Sequence, residues 1–200
     1  MSQSMQLRDD LAVIARNIPA GSRVLDLGCG DGELLSWLIR RRACTGTGVE
    51  RGPDEVLGAI KRGVPLIELD IDSQLGMFAP DSYDVVVLSR TLQAVLRPEL
   101  VLAAMRKIAP RQIVTMPNFG YWRHRLRLLN GHMPRSRDLP YSWYATPNLH
   151  HATLVDLEPL NWARPDGAPE AITPSILFLG QGDYGLEVAV ATADRRPTAQ

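Results

Sequence analysis

The sequence lacks features that would place it in several classes of protein. Its apolar runs, such as Val-Val-Val-Leu at 85–88, are short, whereas a membrane-spanning helix needs about 20 apolar residues. Its 22 basic residues are matched by 22 acidic ones, so no excess positive charge is available to coat a nucleic acid. It has only two cysteines, Cys29 and Cys44, which argues against a disulfide framework. Residues 1–10 show no signal-peptide pattern. We therefore expect a cytoplasmic protein that neither enters a membrane nor coats nucleic acid.

The length and composition predict one soluble domain. The chain has 200 residues, of which 45% are hydrophobic and 22% charged, values that suit a globular fold with a full core. We expect a single domain over residues 1–200, with residues 117–151 inserted as a cap or lid. Residues from about 192 to 200 are expected to form a flexible tail.

Strand-like and helix-like segments alternate along the first 116 residues. Leu7, Leu11, Ile14 and Ile18 have helical spacing. Pro53 and Pro98 suit the first turns of two further helices. The predicted strands lie at residues 23–27, 45–50, 65–70, 83–88 and 113–116. This alternation predicts an α/β fold with a doubly wound, mostly parallel sheet. Further on, we expect a helix at 153–162 and two closing strands at 175–179 and 186–191, but no strand or helix rhythm within the insertion.

The strongest motif joins the first strand to a helix through three alternating glycines. It reads Asp26-Leu27-Gly28-Cys29-Gly30-Asp31-Gly32. Glycines let the backbone approach a ligand closely, and the helix N-terminus supplies unpaired N–H groups. A dehydrogenase loop prefers G-x-G-x-x-G, and Asp26 would repel its pyrophosphate, whereas an acid suits a sulfonium and an ammonium group. A dehydrogenase loop and an empty turn remain the alternatives. The motif resembles motif I of the class I S-adenosylmethionine-dependent methyltransferases.

Further residues at the ends of the predicted strands are candidates for contacts with such a cofactor. Glu50 ends the second strand, where a carboxylate can accept hydrogen bonds from ribose hydroxyls. Asp70 ends the third strand and is a candidate acceptor for the adenine amine, with Asp72 as a competitor. Parallel strand ends converge on one crevice. The predicted cofactor contacts are Asp26, Gly28, Cys29, Gly30, Gly32, Glu50, Asp70, Ile71 and Leu88, with Ser89 beside Leu88.

A closer resemblance extends from about residue 7 to about residue 158. Its segments read IKRGV at 60–64, SRTLQA at 89–94, PNFGYWR at 117–123, MP at 133–134 and LPYSWYATPNLH at 139–150. Together they are similar to the MetW family of methionine biosynthesis. The resemblance implies a class I methyltransferase-like (Rossmann-like) fold that binds S-adenosylmethionine or S-adenosylhomocysteine. It also implies an accessory role with homoserine O-acyltransferase; a free-standing small-molecule methyltransferase is the alternative.

The sequence departs from the family pattern in two places and identifies no catalytic residue. Arg51-Gly52 stands where the family tends to have an apolar residue and an aspartate, and Arg90 replaces an uncharged polar residue. Methyl transfer depends mainly on proximity and orientation, so an acid–base pair is not required. The adjacent histidines 150 and 151 have no third ligand at suitable spacing, so we predict no metal site. The candidate proton acceptors are Tyr121, His124, His150 and His151.

The insertion also contains a basic segment. Residues 117–137 carry five arginines and no acid. These are Arg123, Arg125, Arg127, Arg135 and Arg137. Interleaved tryptophan and tyrosine favour a docking surface for an acidic protein partner. A solvated basic face is the plainer alternative, and nucleic-acid binding is the third.

Overall fold

The computed structural model describes residues 7–136, 139–153, 156, 177–178 and 188–194. Seven strands lie in one sheet in the order β3-β2-β1-β4-β5-β7-β6. The strands are β1 (Arg23–Leu27), β2 (Thr45–Glu50), β3 (Leu66–Glu68), β4 (Val85–Ser89), β5 (Arg111–Pro117), β6 (Leu177–Phe178) and β7 (Val188–Asp194). The first five strands pair in parallel, and β7 is antiparallel to both β5 and β6. The predicted doubly wound, mostly parallel sheet is confirmed.

Six α-helices are described. They are α1 (Asp9–Arg16), α2 (Glu33–Arg42), α3 (Pro53–Lys61), α4 (Ile71–Gln74), α5 (Pro98–Ile108) and α6 (Trp122–Leu129). Acidic residues lie in the first turns and basic residues in the last turns of α1, α2, α3 and α5, an arrangement that complements the helix dipole. Within the described part of the chain, no helix is long and apolar enough to cross a membrane.

The central strands carry a core on each face of the sheet. Successive side chains of a strand point to opposite faces. Val85 and Val87 accordingly pack with α1 and α2, whereas Val86 and Leu88 pack with α5. All four side chains are fully buried. The continuous apolar run of β4 is therefore explained by its burial on both faces.

The structure differs from the sequence prediction in several elements. Helix α6 lies within the insertion, where no helix was expected; its apolar residues do not face the core, so the usual burial pattern is missing. The short helix α4 was not predicted either. Strand β7 continues to Asp194, three residues beyond the predicted end and into the expected tail. The helix predicted at 153–162 lies mostly outside the described residues.

Candidate functional site

The candidate site lies at the carboxyl ends of β1, β2, β3 and β4. The strand order reverses between β1 and β4, because β2 and β3 continue on one side of β1 and β5 on the other side of β4. In open α/β sheets, the crevice at such a switch point is the usual place for a ligand. The glycine loop predicted from the sequence follows β1 and therefore lies in this crevice.

Backbone contacts hold the glycine loop against β2. The backbone N–H groups of Gly28 and Cys29 both donate to the carbonyl of Val49, at 2.8 and 3.0 Å. Gly28 has φ +71°, and a Cβ at this position would collide with Oγ1 of Thr91. The residue must therefore be glycine both for its backbone conformation and for its closeness to the segment after β4.

Gly30 lies at the open part of the loop. Its φ is +55°, and a Cβ here would meet no heavy atom of the described chain within 4 Å. At Gly32, by contrast, a Cβ would lie 2.9 Å from Cγ2 of Val64. Gly32 therefore serves close packing at the start of α2, while Gly30 leaves backbone open to the crevice.

Asp26 is a buried carboxyl beneath this loop. It lies in β1 and is only 2% exposed. Its Oδ1 is buried without a hydrogen-bond partner among the residues that the structure describes. Burial, and then the negative charge of Glu50, raises the pKa of Asp26 to about 7. A buried carboxylate without donors is costly, so a cationic group bound beside it would offset part of that cost.

Glu50 connects the glycine loop to the end of β2. Its Oε2 accepts a hydrogen bond of 2.9 Å from the N–H of Gly30. Its Oε1 accepts bonds from the N–H groups of Arg51 and Gly52, at 2.8 and 3.1 Å. Glu50 therefore shapes the crevice wall, and its remaining lone pairs can accept from ligand hydroxyls.

Asp70 and Asp72, which competed for one role in the sequence prediction, have different surroundings. Asp70 caps α4 by accepting from the N–H of Asp72, and forms an ion pair of 3.2 Å with Arg51. Its pKa is lowered, first by the Asp72 N–H and more weakly by Ser73 and Arg51. Oδ1 of Asp72 instead accepts from the N–H of Leu96, at 2.8 Å. Asp72 is thus engaged with the segment before α5, and Asp70 stays close to β2.

The remaining predicted contacts are less directly exposed to the crevice. The sulfur of Cys29 would lie 2.5 Å from a Cβ placed on Gly48, and the side chain packs against the core near α2. Burial, followed by the charges of Asp26 and Glu50, raises its pKa. Leu88 is fully buried, and Ile71 packs against the same core cluster. The side chain of Leu88 is therefore buried and that of Cys29 half-buried, and their contacts with a ligand stay predictions.

Arg90, one of the departures from the family pattern, directly follows β4. It has φ +54°, and its N–H donates to the Thr115 carbonyl at 2.9 Å. Its Nε lies 3.2 Å from Oδ2 of Asp10, which is in α1. The ion pair of Arg90 with Asp10 therefore connects α1 to the segment after β4.

The insertion is attached to the same edge of the sheet. The N–H groups of Leu149 and His150 both donate to the carbonyl of Gln93, which follows β4, at 2.8 and 3.0 Å. The insertion also contains a small pocket lined by aromatic, aliphatic and polar side chains. Its lining includes Phe119, Met133, Leu139, Tyr141, Trp143 and His151. The sequence prediction identified neither the contact with the Gln93 carbonyl nor the pocket, because neither has a local sequence pattern.

The candidate proton acceptors lie in this insertion. His124 is buried beside the ring of Tyr121, with centroids 5.3 Å apart. His151 packs on Phe119 at 4.3 Å, and its pKa is lowered by burial and then by the charge of His150. Among the described residues, no three histidine, cysteine or acidic side chains are grouped to hold a metal ion.

Comparisons of the sequence identify its relatives. The family model for methionine biosynthesis protein MetW matches residues 8–165. A bifunctional methionine biosynthesis protein MetXA/MetW of Rhodopirellula baltica is 34% identical over 164 residues, which cover 77% of this chain and 26% of that protein. This chain thus spans about a quarter of the length of that relative. A ubiquinone biosynthesis O-methyltransferase of Aeromonas salmonicida is 36% identical over 90 residues, 42% of this chain and 37% of that protein.

Solved structures share the fold. A SAM-dependent methyltransferase of Thermotoga maritima superposes with a TM-score of 0.66 at 19% identity, covering 94% of this chain and 88% of its own. One from Mesorhizobium loti gives 0.67 at 16% identity, covering 96% and 100%. The fold is that of the SAM-dependent, Rossmann-like methyltransferases. With the family match extending over most of its length, the chain belongs to the MetW family of methionine biosynthesis proteins.

Proposed function

We propose that this protein binds S-adenosylmethionine or S-adenosylhomocysteine in the crevice at the glycine loop. The observation that carries the proposal is the buried carboxyl of Asp26, whose Oδ1 has no hydrogen-bond partner in the described part of the chain. Both ligands carry an ammonium group, and S-adenosylmethionine adds a sulfonium. A cation beside Asp26 favours the charged carboxylate that burial disfavours, so the site and the ligand are electrostatically complementary.

The neighbouring residues fit the rest of the same ligand. Glu50 has acceptor oxygens facing the loop at Gly30, suited to ribose hydroxyls. Asp70 lies one strand further along the sheet edge, in the position we assign to the adenine amine. The open backbone at Gly30 leaves room for close approach. When bound, the sulfonium group supplies an activated methyl group.

We further propose that the protein acts in methionine biosynthesis as an accessory subunit of a homoserine O-acyltransferase. The support is the relative named MetXA/MetW, in which a MetW-like part is joined to a MetXA part within one polypeptide. Two units that are fused in one chain have a high effective concentration for each other. We therefore expect a MetX-like acyltransferase to be the partner of this chain.

The ligand is tested by thermal unfolding. At a hundredfold excess over the dissociation constant, a ligand adds about 2.7 kcal/mol to the free energy of unfolding. For a chain of this size, that raises the melting temperature by roughly 5–10 °C. We expect this shift with S-adenosylmethionine or S-adenosylhomocysteine and none with NAD. A shift with NAD alone would refute the assignment.

The partner is tested by mixing the protein with the purified homoserine O-acyltransferase and by assaying the acyltransferase with and without this chain. We expect the two proteins to form a complex on size-exclusion chromatography and the acyltransferase activity to depend on this chain. If the acyltransferase is equally active alone and no complex forms at micromolar concentrations, the accessory role is wrong. The cofactor assignment is tested separately by the thermal shift.

An autonomous small-molecule methyltransferase is the second candidate. The partial similarity to a ubiquinone biosynthesis O-methyltransferase agrees with this alternative. Formation of S-adenosylhomocysteine from S-adenosylmethionine and a small acceptor, without the acyltransferase, would favour the second candidate over the first.

A further inference from the structure

Helix α6 presents apolar side chains to solvent. Trp122 is 55% exposed, Leu126 49% and Leu129 82%. An α-helix turns through about 100° per residue, so these three side chains lie within about 60° of one another around the axis. The buried His124 lies roughly 170° from the middle of this stripe. The helix is therefore held to the domain by one side and exposes an apolar stripe on the other.

Arginines flank the stripe on both sides. By the same helical geometry, Arg125 lies on one side, and Arg123 and Arg127 lie on the other. All three are exposed, and α6 contains no acidic residue. The guanidinium of Arg123 lies 5.3 Å from the ring centre of Trp122. No ion pair of Arg123 or Arg125 is found within the described ranges.

This arrangement matches the anatomy of a protein-binding surface. Such surfaces have an aromatic or apolar centre that loses its water and a charged rim that remains partly solvated. Tryptophan and arginine are the side chains most enriched at energetic hot spots. The complementary surface is an apolar groove with carboxylates along both edges.

A protein fits this face better than a nucleic acid or a membrane. Leucine side chains do not provide the stacking platform on which exposed bases bind. Membrane attachment increases with buried apolar area, and α6 offers only four exposed apolar side chains over its eight residues, because Leu128 is exposed as well but lies away from the stripe. The negative charge of the other residues cancels the positive charge of the insertion, so the net charge of the chain is zero. A zero net charge does not favour binding to polyanions in general.

We propose that the α6 face, formed by Trp122, Leu126 and Leu129 with Arg123, Arg125 and Arg127, docks into an acid-edged apolar groove on the acyltransferase. This inference rests on the proposed accessory function and identifies the surface through which it operates. The crevice at β1–β4 is built from other elements, so docking and cofactor binding use separate residues of this chain.

The test measures surface-binding kinetics of the full-length protein against the purified acyltransferase. Leu129→Asp and Trp122→Ala are compared with the parent, and Ile60→Asp is the control. Ile60 is 59% exposed in the last turn of α3, as Leu129 is in the last turn of α6. We expect Leu129→Asp and Trp122→Ala to weaken binding at least roughly 30-fold, mainly through faster dissociation. Ile60→Asp should bind like the parent.

Charge reversal tests the arginine rim separately. Arg125→Glu should slow association several-fold and reduce its dependence on salt, because steering between charges is screened beyond about 8 Å at physiological ionic strength. Arg41→Glu is the control, since Arg41 is exposed in the last turn of α2. Thermal unfolding and cofactor titration should be unchanged in all α6 variants.

The possible failures are distinguishable. If the parent binds and Leu129→Asp binds equally well, the α6 face is not the docking surface, although the accessory function stands. If the parent does not bind the acyltransferase at all, the accessory function fails and the docking proposal with it. A loss of stability in the isolated Leu129→Asp chain would mean that this chain itself covers the face, and would overturn the proposal. The proposal would also be overturned if the parent formed dimers and Leu129→Asp did not. Binding of the parent to anionic vesicles or to DNA that is lost in Leu129→Asp would overturn it as well.

Discussion

Replacing Asp26 by asparagine should change how the stability of the protein depends on pH. The side chain is buried, and its pKa is raised from 3.8 to about 7. At about 1.4 kcal/mol per pH unit, this difference corresponds to roughly 4 kcal/mol between the folded and unfolded chains. Burial disfavours the charged carboxylate, so this difference accumulates over the pH range in which the unfolded chain has ionised at Asp26 and the folded chain has not.

The sign of the effect follows from the direction of the shift. An acid whose pKa is raised by folding stabilises the folded state most below its unfolded pKa, and that contribution is lost as pH rises through the folded value. We therefore expect the free energy of unfolding of the parent to fall, relative to Asp26→Asn, by up to about 4 kcal/mol between about pH 4 and about pH 8. Asparagine has nearly the same shape, and any cost of burying its amide is independent of pH.

Urea unfolding of the parent and of Asp26→Asn at a series of pH values measures this difference. Because both chains contain the same other ionisable groups, only the divergence of the two curves matters. Parallel curves between about pH 4 and about pH 8 would refute the reasoning. A second readout uses the ligand: the affinity of the parent for S-adenosylmethionine should increase with pH through about 7, and Asp26→Asn should lose both affinity and this dependence.

Two further predictions concern the crevice wall. Glu50→Ala should weaken binding of S-adenosylmethionine by roughly 10- to 150-fold, the equivalent of a charged hydrogen bond of about 1.5–3 kcal/mol, and Asp70→Ala should cost less. Parent-like affinity in a calorimetric titration of folded Glu50→Ala would contradict the ribose contact. Gly28→Ala should lower the free energy of unfolding by more than about 1 kcal/mol, because the substitution combines positive φ with a clash. At Gly30 an added Cβ meets open space, so Gly30→Ala should lower ligand affinity more, for a given loss of stability, than Gly28→Ala does. Stability is measured by urea unfolding and affinity by titration. If the two variants have equal effects in both measurements, the crevice is not open at Gly30.

Local patterns in the sequence were sufficient for the parallel half of the fold. The apolar residues within 83–88 predict a strand, and the three glycines after Asp26 predict a strand, a turn and a helix. These features depend on neighbours within a few positions along the chain, so they can be recognised without the tertiary structure. The same locality explains why α6 was missed: its apolar stripe faces solvent, and its arginines recur at every second residue from Arg123 to Arg127, which is not a helical spacing.

The sequence by itself determined which residue types stand at the strand ends, and the tertiary structure decided what each of them contacts. In the sequence, Asp72 competes with Asp70 for the adenine contact, and only the packing of the segment before α5 engages Asp72 with Leu96. Cys29 lies within the glycine motif, yet the positive φ values of Gly28 and Gly30 direct the turn so that its sulfur packs near Gly48. Hydrogen-bond partners and burial depend on atoms that are distant in the chain and are brought close only when the sheet is assembled, which is why the unpartnered oxygen of Asp26 is visible only in the folded protein.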